Sequence, residues 1–170
     1  ILKIKDLPMF VYVAFEAKKS KLKPAIFVSS ENEKIKTICD KFHLNFIKRP
    51  KNLSSPKTEK QEAIVHGAKY INRKYKFKPK YVISLQCNSP QFKHQDLDKA
   101  FRFFKKKFST KEKKELISVG KDNCQNAAFR IMTYKAVFQK SLSTNIIVFY
   151  TDYIDIHTRK DYEKVLKKIK

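Results

Sequence analysis

The sequence is poor in glycine and contains no tryptophan. The motifs and long apolar runs that it lacks exclude several classes of protein. Only two glycines occur in 170 residues, and neither a Walker phosphate loop nor the G-x-S-x-G turn of serine hydrolases is present. No apolar run approaches the roughly 20 residues that a membrane-spanning helix needs. The first residues form no signal-peptide pattern, and the chain starts at Ile1, so we expect a processed or partial chain.

Cysteine and histidine are also rare, and the cysteine spacing suggests no zinc site. The three cysteines stand far apart, at positions 39, 87 and 124. An odd, widely spaced set indicates neither a disulfide framework nor a zinc site, so we expect reduced thiols and a cytoplasmic location. The histidines at positions 43, 66 and 94 have no partner in the pattern and are expected to be satisfied or exposed.

Negative charge is scarce: 39 Lys and Arg face 16 Asp and Glu, which gives a net charge of +23. Such a charge suits a nucleic-acid partner. However, only five of the basic residues are arginines, the side chain that base readout and phosphate forks favour. We therefore favour a solvated lysine-rich surface without a nucleic-acid partner, and keep a lysine-rich nucleic-acid-binding domain as an alternative.

The apolar pattern predicts helices that alternate with short apolar strands. The predicted helices are 8–19, 31–42, 60–74, 96–108, 133–140 and 161–169, and the predicted strands are 25–28, 44–47, 81–85, 116–119, 127–132 and 146–150. This order predicts a single-domain α/β fold, a three-layer α/β/α sandwich with a mostly parallel sheet. Hydrophobic residues make up 42% of the chain, enough for a sizeable core.

The stretch 81–90 is the clearest place for a ligand. Residues 81–85 read as a buried central strand, and the residues that follow are small and polar up to Pro90. Ligands of open α/β sheets bind at the carboxyl ends of strands. This makes Gln86, Asn88 and Ser89 candidate binding residues, although Gln86 could instead only satisfy the turn.

Two other strand ends supply candidate residues. Arg49 follows strand 44–47 and precedes the hydroxyl pair Ser54 and Ser55, so it could hold a phosphate or a base. Asp155 and His157 are two apart, and in an extended segment they face the same way and could share a divalent metal. The alternative to these ligand-binding roles is that Arg49 and His157 are ordinary surface residues and that Asp155 is an ordinary loop carboxylate.

Five segments in this order resemble one enzyme family. They are I-L-K-I-K-D-L-P-M at 1–9, F-V-S-S-E-N at 27–32, F-I-K-R-P-K-N-L at 46–53, L-Q-C-N-S-P at 85–90 and Y-I-D-I-H-T at 153–158. Together they resemble the acylneuraminate cytidylyltransferases, which make CMP-sialic acid and related activated nonulosonates. The most specific match is 85–90, which is similar to the family's L-Q-P-T-S-P. His157 stands where the family's closing I-D-I-D-T has its second aspartate.

The resemblance implies a nucleotide-diphospho-sugar transferase-like fold and a reaction. A hydroxyl of a nonulosonic acid would attack the α-phosphorus of CTP and release pyrophosphate, for surface-glycan biosynthesis. Asp155 and Gln86 would be catalytic, and Arg49, Gln86, Asn88 and Ser89 would bind substrate. Asp155 and His157 would hold Mg²⁺.

The resemblance also sets expectations beyond the site. It places the family's first strand and phosphate-binding loop upstream of Ile1, so activity is expected of a chain that includes this loop, with a homodimer as an option. A catalytically inactive homologue that serves as a binding or scaffold protein is the alternative of a different class.

Overall fold

The computed structural model describes residues 1–55, 57–107, 115–126, 128–140 and 146–169. The described helices are α1 (Met9–Lys18), α2 (Glu33–Lys41), α3 (Lys60–Tyr75), α4 (His94–Lys107), α5 (Tyr134–Val137) and α6 (Arg159–Lys168), with a 3-10 turn at Lys51–Leu53. The described strands are β1 (Lys3–Ile4), β2 (Leu7–Pro8), β3 (Phe27–Ser30), β4 (Asn45–Lys48), β5 (Tyr81–Leu85), β6 (Glu115–Val119), β7 (Phe129–Thr133) and β8 (Ile146–Tyr150). None of the helices within these ranges is long and apolar enough to cross a membrane.

The strands pair in both directions. The largest sheet has the order β5-β7-β6-β8, in which β6 runs parallel to β8 and antiparallel to β7. β3 and β4 form a parallel pair, with Ser29 opposite Ile47, and β1 and β2 form a short antiparallel pair. Helices alternate with these strands along the chain, so the molecule is an α/β protein, as the sequence predicts.

The chain divides into two compact units. The first comprises Ile1–Pro24, Ile83–Met132 and Ser141–Lys170, and the second comprises Ala25–Val82 and Thr133–Lys140. The boundary passes through β5 and β7, so each unit is discontinuous in sequence. The single nucleotidyltransferase-like domain expected over 1–170 stays a prediction.

The first unit has an aromatic core. The fully buried ring of Phe129 lies 6.1 Å from the ring of Phe92 and 5.9 Å from that of Phe149. A second cluster contains Ile4, Met9, Ile156 and Val165. Ile156 lies directly between Asp155 and His157, so this apolar cluster anchors the backbone that carries two of the candidate site residues.

The second unit is built on β3, β4 and the helices α2, α3 and α5. α2 begins at Glu33 after the N-cap Asn32, whose Oδ1 accepts the Lys34 N–H at 2.8 Å. The helix predicted from residue 31 therefore starts two residues later, because Asn32 caps it. α3 ends at Lys76, which adopts a left-handed conformation with φ of 52°.

The left-handed conformation of Lys76 belongs to a wider feature. Among the described residues, five that are not glycine have a positive φ: Lys5, Lys23, His43, Lys76 and Asn123. Glycine adopts this conformation without steric cost, whereas a side chain with a Cβ is disfavoured there. The chain therefore places lysine, histidine and asparagine at turns where glycine would fit more easily.

β5 differs from the expectation of a buried central strand. It stands at one end of the described strand order, and all five of its residues are half-buried. An edge position explains this, since a strand with one described sheet neighbour is covered on fewer sides. The predicted element ends at Phe108 and Ala127 lie outside the described residues.

Candidate functional site

β5 runs directly into a tight polar turn. The backbone N–H of Gln86 still donates to the Ala128 carbonyl at 3.1 Å, and the N–H of Ser89 donates back to the Gln86 carbonyl at 3.4 Å. Ser89 and Pro90 are buried at the base of this turn. The half-buried Gln86 side chain forms no hydrogen bond with another described residue, so its amide is available to a ligand.

Hydrogen bonds fasten the segment after β8 to this turn and to Gln91, which follows it. The N–H of Ile156 donates to the Asn88 carbonyl at 2.9 Å, and the Asn88 side-chain amide donates to the Ile156 carbonyl at 3.4 Å. The N–H of Ile154 donates to Gln91 Oε1 at 2.9 Å. Asn88 therefore acts on the polypeptide backbone, which is a structural contribution besides the substrate contact expected of it.

This fastening brings Ser89, Asp155 and His157 together. The hydroxyl of Ser89, which is fully buried, donates to Asp155 Oδ1 at 3.4 Å. His157 Nε2 lies 2.9 Å from Asp155 Oδ2. The Asp155 side chain is 19% exposed and the His157 side chain is 71% exposed. The carboxylate is therefore mostly covered by protein, and the imidazole lies between it and the solvent. The expected convergence of Asp155 and His157 is thus present.

The start of α6 holds the end of the same segment. Thr158 is the N-cap, and its hydroxyl and N–H both donate to Asp161 Oδ2, at 2.7 Å and 2.9 Å. The N–H of His157 donates to the same oxygen at 3.3 Å. The hydroxyl of Thr158, and then its N–H, lower the pKa of Asp161 because they bond the charged carboxylate.

Arg49 lies in the second unit, at the end of β4, and is held rather than free. Its Nε donates to Ser54 Oγ and its Nη2 to Glu31 Oε2, both at 3.2 Å. The side chain is 25% exposed. Hydrogen bonds from the N–H of Glu31 itself and from Arg49 lower the pKa of Glu31. Ser55 instead caps the following turn, where its hydroxyl accepts the Lys57 N–H at 3.2 Å.

The same unit contains two buried polar atoms that the sequence does not single out. Ser29 Oγ and His66 Nδ1 have no hydrogen-bond partner within the described part of the chain. Burial lowers the pKa of His66, and the positive charges of Arg73 and Arg49 lower it further, which favours a neutral imidazole. The expectation that His66 is satisfied or exposed is wrong, because α3 buries one of its ring nitrogens. Such unpaired atoms call for a ligand or an ordered water.

Two more residues around the turn, Tyr153 and Cys87, lie in segments of the resemblance but are not among the candidate site residues. The hydroxyl of Tyr153 donates to Asp96 Oδ2 at 2.5 Å and accepts the Lys93 N–H at 3.1 Å. Burial, and then the Asp96 carboxylate, raise the pKa of Tyr153. Cys87 is an exposed residue within the turn, yet the atoms around its thiol displace water and raise its pKa, an effect that the charge of Asp155 increases.

The donor set fits Mg²⁺ only in part. Mg²⁺ in nucleotide-dependent enzymes is commonly held by one or two carboxylates, substrate phosphates and water. Asp155 supplies one such carboxylate. Within the described residues, no group of three or more His, Cys, Asp or Glu side chains could hold a metal ion. The roles of Asp155 and His157 as metal ligands, and of Gln86 in catalysis, stay predictions.

Solved structures of three cytidylyltransferases are similar to this chain. A cytidylyltransferase from Leptospira borgpetersenii serovar Hardjo-bovis (strain JB197) is 13% identical with a TM-score of 0.66, over 97% of this chain and 76% of the other. A CMP:2-keto-3-deoxy-manno-octonic acid synthetase complexed with CTP is 11% identical with a TM-score of 0.74, over 99% and 90%. The 4-diphosphocytidyl-2C-methyl-D-erythritol synthase of Anaerococcus prevotii DSM 20548 is 12% identical with a TM-score of 0.62, over 98% and 88%.

These likenesses confirm the predicted fold class, an α/β fold of the nucleotide-diphospho-sugar transferase type. Comparison with curated protein sequences gave no significant match. The sequence profile of the family described as Cytidylyltransferase, however, matches residues 1–148 of the 170. That match covers most of the chain, including the β5 turn and Arg49. The chain belongs to the cytidylyltransferase family.

Proposed function

We propose that this protein transfers the cytidylyl group of CTP to a sialic-acid-like nonulosonic acid, in the biosynthesis of surface glycans. The observation that carries the proposal is the fastening of 154–156 to the β5 turn, which brings buried Ser89 to Asp155. Two segments of the resemblance, 85–90, its most specific match, and 153–158, are thereby held side by side. Membership of the cytidylyltransferase family supports CTP as the nucleotide. The resemblance of these segments supports a nonulosonic acid as the sugar.

The reaction requires one bond to form and one to break. An oxygen of a sugar hydroxyl attacks the α-phosphorus of CTP, and the bond from that phosphorus to the bridging oxygen breaks, so that pyrophosphate leaves. The hydroxyl proton must be taken up, and the hydrogen-bonded Asp155 and His157 pair provides bases for it. The chemistry asks mainly for positioning and charge neutralisation.

Each candidate residue has a place in this scheme. Gln86 would contact the sugar, as the resemblance implies, and its side-chain amide has no hydrogen bond with another described residue. Ser89 and Asn88 position the acceptor side of the site, since one bonds Asp155 and the other bonds the adjoining backbone. Asp155 would hold Mg²⁺ together with the phosphates of CTP, and the ion, when bound, would neutralise phosphate charge.

Arg49, which lies in the second unit, would help to hold the nucleotide, as the resemblance implies. The Arg49 guanidinium is fixed by Glu31 and Ser54, so it can bind without reordering a long side chain. The unpaired Ser29 Oγ and His66 Nδ1 offer further hydrogen bonds. We also carry over a cytoplasmic location from the thiol content of the sequence.

The decisive experiment measures pyrophosphate release and CMP-sugar formation from CTP, N-acetylneuraminate and Mg²⁺. We expect Asp155→Asn to lower turnover by about 100-fold or more, as is typical when one group that neutralises reacting charge is removed. Asp152→Asn is the matched control, because Asp152 is 62% exposed and pairs with Lys121 at 2.9 Å. It should leave turnover unchanged.

A second acceptor separates the two parts of the proposal. Turnover with 2-keto-3-deoxy-manno-octonic acid but not with N-acetylneuraminate would overturn the sugar assignment and leave cytidylyl transfer intact. Binding of CTP, measured by calorimetry, without turnover of either acceptor would support the inactive binding protein instead. Equal losses in Asp155→Asn and Asp152→Asn would show that Asp155 has no special role.

A further inference from the structure

The second unit contains a stretch in which aromatic residues and lysines alternate. Residues 74–81 read K-Y-K-F-K-P-K-Y, an alternation that only Pro79 interrupts. This stretch joins the end of α3 to the start of β5, so it precedes the strand whose other end leads into Gln86. The proposed cytidylyl transfer uses none of these residues.

Lys78 of this stretch also lines a groove on the second unit. The groove has a volume of about 530 Å³ and is lined by Asn72, Lys78, Tyr134, Lys135 and Phe138. The Tyr134 and Phe138 rings meet edge to face at 5.1 Å, and Lys78 Nζ lies 5.3 Å from the centre of the Tyr134 ring. The N–H of Tyr134 donates to the Lys80 carbonyl at 3.1 Å, which fixes α5 against the alternating stretch.

The rings and charges of this surface remain accessible. Tyr75, Phe77 and Phe138 are 46%, 58% and 39% exposed, three of the largest exposed apolar side chains in the described residues. Lys78 and Lys135 are exposed as well. We call Phe77, Lys78, Tyr134, Lys135 and Phe138 the aromatic–lysine patch; Tyr75 instead packs on the Phe27 ring at 5.7 Å and lines a different groove.

The charge around the patch has a single sign along the chain. No Asp or Glu occurs between residues 63 and 95 or between residues 134 and 140. Lys74 lines a separate groove that contains Glu33 and Asp40, whereas the groove at Lys78 and Lys135 has no carboxylate among its described lining residues. A partner for this surface must carry negative charge.

We propose that the aromatic–lysine patch binds single-stranded nucleic acid. Bases stack on aromatic side chains without regard to sequence, and lysines track the phosphates. The groove combines the rings of Tyr134 and Phe138 with the ammonium groups of Lys78 and Lys135, and this mixture of aromatic surface and positive charge suits bases joined by phosphates better than an acidic peptide. A flat anionic membrane would contact the exposed rings but could not enter the groove.

The composition suits binding without sequence readout. Sequence-specific proteins often read base edges through bidentate hydrogen bonds from arginine, and the patch contains no arginine. Lysine acts as a point charge, so contacts to phosphate position the strand and leave the bases to stacking. The shortage of arginine that argues against a sequence-specific partner is therefore compatible with this one.

The test uses fluorescence anisotropy with a labelled oligo(dT) of about 12 nucleotides, within the usual site size of such surfaces. We expect binding that weakens steeply with salt. Phe77→Leu with Phe138→Leu should lower affinity about fivefold or more, with the salt slope unchanged, because stacking is lost and charge is not. Lys78→Gln with Lys135→Gln should reduce the slope by about 1.4, since each single-strand phosphate contact contributes about 0.7.

Lys167→Gln with Lys168→Gln on α6 is the matched control, because both lysines are exposed and lie in the other unit. It should leave the affinity within about twofold of the unaltered protein at equal salt. An equal loss in this control would mean that net charge alone binds the strand and would overturn the proposal.

Three further outcomes would also overturn it. They are absence of oligo(dT) binding, equal binding of an abasic oligomer of the same length, and preference for phosphatidylserine vesicles over the oligomer. Displacement of the oligomer by CTP would place it at the nucleotide site instead. The proposal does not depend on cytidylyl transfer, so failure of one leaves the other standing.

Discussion

Ser89 is a buried hydroxyl whose single partner in the described residues is a candidate catalytic carboxylate. At 3.4 Å its bond to Asp155 is long, so Ser89→Ala should cost less than about 1 kcal/mol of unfolding free energy. We expect a clear fall in kcat, since Asp155 loses the donor that orients it. Urea unfolding and pyrophosphate release separate these effects. Ser84→Ala, on half-buried β5, is the control, and an unchanged kcat in Ser89→Ala would contradict the positioning role.

His66 should make stability depend on pH. Burial and two arginines lower its folded-state pKa below the unfolded value of about 6.5. At pH values below about 6.5, His66 of the unfolded chain binds a proton, whereas His66 of the folded chain stays neutral. The free energy of unfolding therefore falls as the pH decreases from about 6.5 to the lower folded-state pKa.

Urea midpoints across this pH range would test the role of His66. The decrease in urea midpoint at low pH should be smaller in His66→Gln than in the unaltered protein. It should be unchanged in the control His43→Asn, because His43 is exposed and asparagine tolerates the left-handed backbone at this position. The same slope in all three proteins would contradict the assignment.

At this scale the sequence predicts neighbours better than distant contacts. Asp155 and His157 could be paired because extended residues two apart face the same way. The Ser89 to Asp155 contact spans 66 residues and depends on how β5 and β8 enter one sheet, which no local pattern encodes. His66 could not be foreseen, since the pattern of α3 does not reveal that one ring nitrogen is left without a partner.

Among the elements, α6 connects stability to the site. Its capping box satisfies backbone groups at Thr158 and Asp161, and the N–H of His157 shares the same carboxylate. Thr158→Ala should cost about 1 kcal/mol of unfolding free energy, the usual effect of losing an N-cap. It should also lower turnover. Thr158→Ser keeps the cap and should restore both; urea unfolding that shows no difference between the two variants would contradict the role of the cap.

The bounds of a strand are predictable from the sequence where the strand is one continuous apolar run. β5 and β8 have the bounds that their apolar runs predict, because such runs are flanked by polar residues. The β1 and β2 pair was missed, since strands of two residues have no periodicity. The edge position of β5 was also not predictable, because strand order depends on long-range pairing rather than on the strand's own residues.

For the whole molecule, the charge of +23 should oppose compactness. Lysines repel one another in the folded state more than in the expanded chain, and salt screens that repulsion. We expect the thermal midpoint to rise between about 0.02 and 0.3 M NaCl, as the Debye length shrinks below typical charge separations. Differential scanning fluorimetry would check this. A falling midpoint would mean that surface ion pairs such as Lys121 with Asp152 dominate instead.

The left-handed turn at Lys76 has an evolutionary consequence. Its φ of 52° at the end of α3 is a position where glycine would relieve strain. Lysine there gives up that relief but keeps one more positive charge beside the aromatic–lysine patch. Selection for stability and selection for polyanion binding thus favour different residues at one codon. Lineages that do not use the surface should drift toward glycine at this position, and lineages that use it should retain lysine.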